Sequence, residues 1–195
     1  LRLCMRLSNR PEAGTAAVMQ QIVGNPVKYP VFTSYADDAK VNYTGVSPFR
    51  NLFGDMTDTS FTTASHKCSA FFIDQLTSTS DPRMAQWVRI VGSDDVHGVV
   101  SGVVEPDGTG ASVMNPAVLK QYTTPVWFMT SSELFFILSE AAHTGMIPGG
   151  EAAAEAYYEQ AVTNSIRQWN PSISDANIDR FLHGTGSKAA YDGTL

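Results

Sequence analysis

Apolar residues recur at helical spacing in two neighbouring segments near the C-terminal end of the chain. The first set is Leu134, Ile137, Leu138, Ala141 and Ala142, with Phe135 and Phe136 widening the apolar face, and the second is Tyr158, Val162, Ile166 and Trp169. Steps of three and four residues line one side of an α-helix. Since the connection from Gly145 to Gly150 is too short for other arrangements, the pattern predicts an antiparallel helical hairpin.

The ends of this hairpin carry helix-boundary residues. Ser131 or Ser132 can cap the first helix, and Gly145 stands where a left-handed C-cap is expected. Trp169 is predicted to be core because of its helical phase. The acidic stripe of the second helix, made of Glu151, Glu155 and Glu159, could serve acid/base catalysis or bind a metal, but a solvated helix face is the favoured interpretation.

The pattern elsewhere predicts shorter helices. One should occupy 1–9 with Leu3, Leu7 and Cys4 facing inward, and a second should run from Pro11 to Val23 and stop at Gly24. Helical spacing returns between Ser65 and Leu76. A last helix should be capped by Ser174, contain Ile178, Phe181 and Leu182, and lead to a frayed Gly-rich tail.

Between these helices the chain is irregular, with Pro and Gly interrupting aromatic residues, and the Val-rich run 87–105 predicts extended chain. We predict one partial domain over 1–195, with a helical segment at 1–24, a loop-rich insertion containing one helix at 25–125, a hairpin plus helix at 126–183 and a tail at 184–195. Long irregular connections are often functional. We therefore expect the functional residues between Tyr29 and Pro125.

Composition excludes several classes of function. A formal charge of -6 and a pI near 5.1, without a Lys/Arg cluster, disfavour nucleic acid as a ligand. Cys4 and Cys68 lack zinc-site spacing and are expected to be free and buried, although their pairing stays open. No stretch approaches the roughly 20 apolar residues of a membrane span. No P-loop, GxSxG, HExxH or strand-linked GxGxxG motif predicts a cofactor or an enzyme.

Three phrases carry a family resemblance. The first is LRLCMRLSNRPEAG, which opens the chain, and the second is FFIDQLTSTSDPRM. The third is the hairpin, in which FFILSEAA, TGMIPGG, AYYEQAV and SIRQW follow one another. In this order they resemble the SusD/RagB family of nutrient-binding proteins, particularly its SusD-like branch. The resemblance implies a mainly α fold with tetratricopeptide-like helical hairpins and long irregular loops.

The resemblance also implies function and partners. It implies a surface-exposed outer-membrane lipoprotein of Bacteroidetes that captures a glycan or other nutrient and delivers it to a SusC-like TonB-dependent transporter. The lipid anchor would lie outside this chain, because Cys4 sits within an amphipathic segment and not after a signal peptide. The chain is accordingly interpreted as an internal fragment.

Two segments combine aromatic and polar residues as sugar recognition requires. A sugar ring stacks its C–H face on an aromatic ring while its hydroxyl groups bond to planar polar groups. Tyr35, Asp38, Asn42 and Tyr43, with Asp37, form one candidate, and Arg83 and Trp87, with Gln86 and Arg89, form the other. The alternative for each aromatic residue is packing on the scaffold.

Two other functions compete with sugar capture. The loops could dock on the transporter as a protein-interaction scaffold without binding any ligand. A glycoside hydrolase would need a carboxylate pair, for which Asp37, Asp38, Asp94 and Asp95 are candidates without distinctive spacing. Asp94, Asp95 and His97 could also form a metal or acid/base site, but turn acids and a surface histidine are the favoured interpretation. We therefore predict a non-enzymatic protein.

Overall fold

Helices form most of the regular structure in the computed structural model, which describes residues 1–56, 67–91, 95–103 and 108–193. The α-helices are α1 Arg2–Arg6, α2 Thr15–Val23, α3 Ala70–Ser78, α4 Met84–Trp87, α5 Pro116–Leu119, α6 Ser131–His143, α7 Gly150–Trp169 and α8 Asp175–His183. The 3-10 turns are Pro11–Ala13, Tyr35–Asp37 and Leu52–Asp55, and the strands are β1 Ala39–Val41, β2 Val88–Arg89, β3 Val113–Met114 and β4 Val126–Met129. The predicted mainly α class is confirmed.

The chain divides into two compact units. The first comprises 1–39, 127–178 and 190–195, and the second comprises 40–126 and 179–189. Three of the four divisions fall within β1, β4 and α8, and the fourth follows Ala189. Within the described residues, no helix has both the length and the apolar character needed to cross a membrane.

The antiparallel pair of α6 and α7 forms the core of the first unit, as predicted. Alanine makes this packing close, since Ala141, Ala142 and Ala154 are fully buried and bring the two backbones together. The Ser139 hydroxyl donates a hydrogen bond of 2.7 Å to the carbonyl of Ala154 across the interface. The rest of this core consists of Met5, Met19, Leu134, Leu138 and Ile147.

The caps of the hairpin differ in one respect from the prediction. Thr130, and neither Ser131 nor Ser132, caps α6, because its hydroxyl accepts the N–H of Glu133 at 3.1 Å. Gly145 follows the helix with a φ of +73°, which confirms the expected left-handed residue. Trp169 is only half-buried and pairs with Trp127 at a ring distance of 5.5 Å, so its assignment to the core is wrong.

The first two helices are shorter than predicted. Gly14 adopts a φ of +61° and separates the 3-10 turn at Pro11 from α2, so the helix begins at Thr15. In α1 the buried residue is Met5, whereas Leu3 is 72% exposed and Leu7 also faces solvent. The inward orientation predicted for Leu3 and Leu7 is therefore wrong, whereas Cys4 packs against the core beside Met5 as predicted.

The second unit has a smaller core and little regular structure. Cys68, Ile73, Leu76 and Val88 are buried together, and burial raises the pKa of the Cys68 thiol. The strands β2 and β3 pair antiparallel, with Val88 opposite Met114 and Arg89 opposite Val113. Helix α3 starts at Ala70 with Ser69 as its cap, later than the predicted Ser65, which lies outside the described residues.

The prediction that the Gly-rich tail is frayed is wrong for the described residues 184–193, because contacts anchor this segment. The Ser174 hydroxyl caps α8 as expected, and Ile178 and Leu182 are buried on that helix. Farther along, Tyr191 donates a 2.7 Å hydrogen bond to Glu151 Oε2, and its ring lies 5.6 Å from that of Tyr158. Because Glu151 also pairs with His143 at 2.8 Å, the tail joins the adjacent ends of α6 and α7.

The Tyr191 contact predicts a high-pH transition. Hydrogen bonding to Glu151, with smaller contributions from desolvation and nearby carboxylates, raises the pKa of Tyr191 from 10.0 to about 12. A raised folded-state pKa means that the contact contributes its full stability below pH 10.0 and loses it as pH rises through about 12. We expect tyrosinate absorbance to show an ionisation near pH 12 that is absent from Tyr191→Phe.

Glu151→Gln provides the control for this assignment, because it keeps the hydroxyl and removes the neighbouring charge. The late ionisation should then move towards ordinary tyrosine values. An unchanged titration curve in both variants would contradict the assignment.

Candidate ligand-binding site

The sequence-predicted site residues are distributed over both units. Tyr35 and Asp38 belong to the first unit, whereas Asn42, Tyr43, Arg83 and Trp87 belong to the second. Each group is therefore described within its own unit.

Asp38 has a structural role at the start of α6. It is buried, and its Oδ1 accepts the N–H of Ser131 at 2.7 Å. A carboxylate at a helix N-terminus satisfies a free N–H group and complements the helix dipole. Its Oδ2 is also buried and has no hydrogen-bond partner among the described residues, so burial, and not a full set of hydrogen bonds, separates Asp38 from a ligand in solvent.

The turn that contains Tyr35 is held by its own capping box. Asp37 Oδ2 accepts the N–H groups of Thr33 and Ser34 and the Thr33 hydroxyl at 2.8–3.1 Å. These bonds favour the charged carboxylate and lower the pKa of Asp37 below 3.8. Tyr35 is half-buried in this turn, which packs on α6 and α7.

Arg83 and Trp87 do come together, but as part of the packing of the second unit. The Arg83 guanidinium lies 4.9 Å from the Trp87 ring centroid and pairs with the buried Asp81. Phe72 stacks on the same indole at 6.1 Å. Because the ring packs against the core cluster and these neighbours, the geometry favours the scaffold alternative for Trp87.

A different surface of the second unit presents apolar side chains to solvent. Val46 is 68% exposed, Phe49 69%, Leu52 78% and Phe53 53%, and all lie on one loop. We call these four side chains the loop face. Exposed apolar surface that is concentrated in one place is typical of interaction sites, so four large apolar groups within eight residues make this loop a candidate.

The loop face is held rigidly by Asn51, which lies between its members. Asn51 is only 6% exposed, and its Nδ2 donates to the carbonyl of Thr124 at 2.7 Å. Its Oδ1 accepts the N–H of Phe53 at 2.9 Å, while its own N–H donates to the carbonyl of Tyr122 at 2.8 Å. One buried residue thus fixes the loop to the 122–124 segment.

Thr44 closes the other end of the loop. Its backbone N–H and its hydroxyl both donate to the Phe49 carbonyl at 3.0 Å, and Val46 forms an isolated antiparallel bridge with Phe49. Phe49 is therefore exposed on an ordered backbone. A ligand that contacts it encounters a preformed surface, which reduces the ordering cost of binding.

Tyr122 forms the base of this surface. The Arg50 guanidinium carbon lies 4.9 Å from its ring centroid, and Arg50 Nη2 pairs with Asp55 Oδ1 at 2.9 Å. Gly54 lies so close that an added Cβ would be 2.2 Å from the ring, so only glycine fits there. Arg50, Asp55 and Tyr122 thus add a polar margin to the loop face.

Sequence reasoning missed Phe49 and Phe53, although Asn42 and Tyr43 directly precede the loop. Asn42 is exposed and Tyr43 is half-buried. The available signal was Asn51 two residues before Phe53, since an Asn that accepts the N–H two positions on forms a local turn. What periodicity could not show is that a non-helical loop would turn both phenylalanines outward.

The groups considered for catalysis are engaged elsewhere or lie outside the description. His97 faces the carbonyls of Asp95 and Thr109, each at 3.3 Å, and Asp94 lies outside the described residues. The described ranges contain no group of three or more His, Cys, Asp or Glu residues positioned to hold a metal ion. The loop face is therefore the best candidate site.

A sequence model of a family matches residues 1–195, and that family is described as SusD-like, starch-binding and associating with the outer membrane. No curated protein matches the chain. Among solved structures, a chitin-binding protein is 25% identical with a TM-score of 0.71, over 92% of this chain and 41% of the other.

Two further structures have the same fold. A chitin-binding SusD homologue from Flavobacterium johnsoniae is 19% identical with a TM-score of 0.67, over 91% of this chain and 35% of its own. A SusD homologue from Bacteroides fragilis is 20% identical with a TM-score of 0.68, over 99% of this chain and 46% of its own. The chain thus spans less than half the length of these structures.

The position of Asn51 predicts a measurable loss of stability. Asn51→Ala would remove two hydrogen bonds and leave the N–H of Phe53 and the carbonyl of Thr124 unpaired. We expect the free energy of unfolding to fall by about 1–3 kcal/mol in denaturant titrations. Asn42→Ala is the matched control, because Asn42 is exposed. Equal stability of the two variants would contradict the role given to Asn51.

Proposed function

Since the chain belongs to the SusD-like family of starch-binding proteins that associate with the outer membrane, we propose that it captures glycans for nutrient uptake and catalyses no reaction. The names of two structural neighbours, both chitin-binding, support a polysaccharide ligand. The single observation that carries the proposal is the rigid, exposed loop face with its polar margin.

The loop face suits sugar recognition because it combines aromatic rings with planar polar groups. Phe49 and Phe53 can stack on the C–H faces of successive sugar rings, each contributing on the order of 1 kcal/mol. Arg50 and Asp55 can bond to hydroxyl groups, and Asn42 lies near the start of the same segment. Such contacts are individually weak, which permits release of the ligand to an uptake system.

The remaining sequence-predicted residues differ in whether their side chains are available to a ligand. Tyr43 directly precedes Thr44, which closes the loop, and we propose that Tyr43 and Asn42 contact the ligand beside the loop face. Tyr35 remains a separate aromatic candidate on the first unit. Asp38 and the Arg83–Trp87 pair are supported less, because their side chains already serve the scaffold.

Capture would be one step in the action of a longer protein. We propose that this protein is exposed at the cell surface and held by a lipid anchor outside this chain. It would pass its glycan to a SusC-like TonB-dependent transporter. The share of the neighbours' length that the chain covers, 35–46% in the three structures compared, supports its assignment to part of such a protein.

A second function is favoured by the two aliphatic members of the loop face. Val46 and Leu52 have no aromatic ring for stacking, yet they are 68% and 78% exposed. Aliphatic surface of this kind fits a protein partner, so the loop face would then dock on the transporter as a scaffold without binding a glycan.

The stacking role predicts a loss of affinity. Phe49→Ala combined with Phe53→Ala should weaken binding of the best oligosaccharide at least about tenfold, because two stacking contacts are removed. Isothermal titration against a panel of malto-, chito-, cello- and xylo-oligosaccharides measures this. Phe71→Ala is the matched control, since Phe71 is a comparably exposed phenylalanine, at 74%, on a different element, α3.

The control tests the assigned site, and a second measurement, association with the transporter, separates the two candidate functions. Retention of full affinity by the double variant, or an equal loss in Phe71→Ala, would refute the assigned site. If the unaltered chain binds no sugar while the double variant loses association with the purified transporter, the docking function replaces glycan capture.

A further inference from the structure

The two charged side chains of the loop itself form an ion pair. Between positions 42 and 56 the charged residues are Arg50 and Asp55, and they form an ion pair of 2.9 Å. The Tyr122 hydroxyl also approaches Asp55 Oδ1 at 3.4 Å. Arg50 is therefore held by the Asp55 carboxylate and by the Tyr122 ring beneath it.

The ion pair engages the Arg50 guanidinium, which could otherwise bind an anion. A guanidinium binds carboxylate and sulfate groups through paired N–H donors, and Arg is preferred for such recognition. The side chains of Arg50 and Asp55 are 36% and 42% exposed, so a bound sugar could reach both. Asp55 already supplies the carboxylate that an acidic sugar would offer.

An acidic sugar would also meet repulsion at this position. To pair with Arg50 it must displace Asp55 or lie next to it, and two carboxylates side by side repel each other. The formal charge of -6 on the whole chain acts in the same direction at low salt. A neutral sugar can instead bond to the paired side chains without breaking the ion pair.

We infer that Asp55 is a specificity-determining residue that keeps Arg50 from binding anionic sugars, so that the loop face selects neutral glycans over uronate-containing or sulfated ones. This inference rests on the proposed function, namely that the loop face is the glycan site. It adds the class of ligand and names the residue that sets it.

The test is a gain of binding. Hexa-N-acetylchitohexaose serves as the neutral probe and hexagalacturonate as the acidic probe, each titrated calorimetrically at low salt. The unaltered chain should bind the neutral probe and bind hexagalacturonate at least about tenfold more weakly. Asp55→Asn removes the competing carboxylate and should tighten hexagalacturonate binding at least about tenfold.

Two variants show whether the gain acts through Arg50. Asp55→Glu keeps a carboxylate on the loop and should show no gain. Asp55→Asn combined with Arg50→Gln removes the cation and should abolish the gain. Circular dichroism and thermal melts confirm that the compared variants are folded.

The outcomes separate this inference from the proposed function. Equal affinity of the unaltered chain for both probes, no gain in Asp55→Asn, or a gain that persists without Arg50 would overturn the inference even if neutral glycans bind. If neither the unaltered chain nor any variant binds the neutral probe, the assignment of the loop face as the glycan site is overturned, and the selectivity inferred from it is overturned with it.

Discussion

The need to pair buried backbone N–H and C=O groups is the constraint on which the second unit depends. This unit has short strands and short helices, so regular structure pairs only part of its backbone. Side chains take over that role at several turns. Asn51 serves the 122–124 segment and Phe53, Ser69 caps α3, and Asn115 Oδ1 accepts the N–H of Ala117 at 3.0 Å. The shape of the loops therefore depends on a few polar residues and not on an extensive core.

The first unit solves the same problem by different means. Helices α6 and α7 pair their own backbone groups, so their side chains are available for packing, and buried alanines bring the two axes together. Asp38 and Thr130 then satisfy the free N–H groups at the start of α6. This unit is stabilised by apolar packing, and its described residues offer no comparable concentration of exposed apolar side chains on a single loop.

This difference explains what the sequence could and could not predict. The hairpin was predictable because periodicity records which helix face is buried, and Leu134, Leu138, Val162 and Ile166 follow it. At Trp87 the sequence shows an aromatic residue near an arginine, but it does not show the Phe72 ring that stacks on the indole. Phe49 could not be identified, because its exposure depends on bonds that Asn51 and Thr44 make to distant or non-periodic backbone groups.

The loop face is also informative because its apolar side chains do little for the stability of the unit. Side chains that stay 53–78% exposed bury little apolar area and so gain little of the hydrophobic free energy of folding. The buried Asn51, the close contact between Gly54 and Tyr122, and the Arg50–Asp55 pair nevertheless fix the backbone that carries them. Ordering a backbone costs conformational entropy whether or not its side chains are buried. A rigid loop that presents apolar groups to water is therefore better explained by the proposed contact with a ligand than by the stability it adds to the fold.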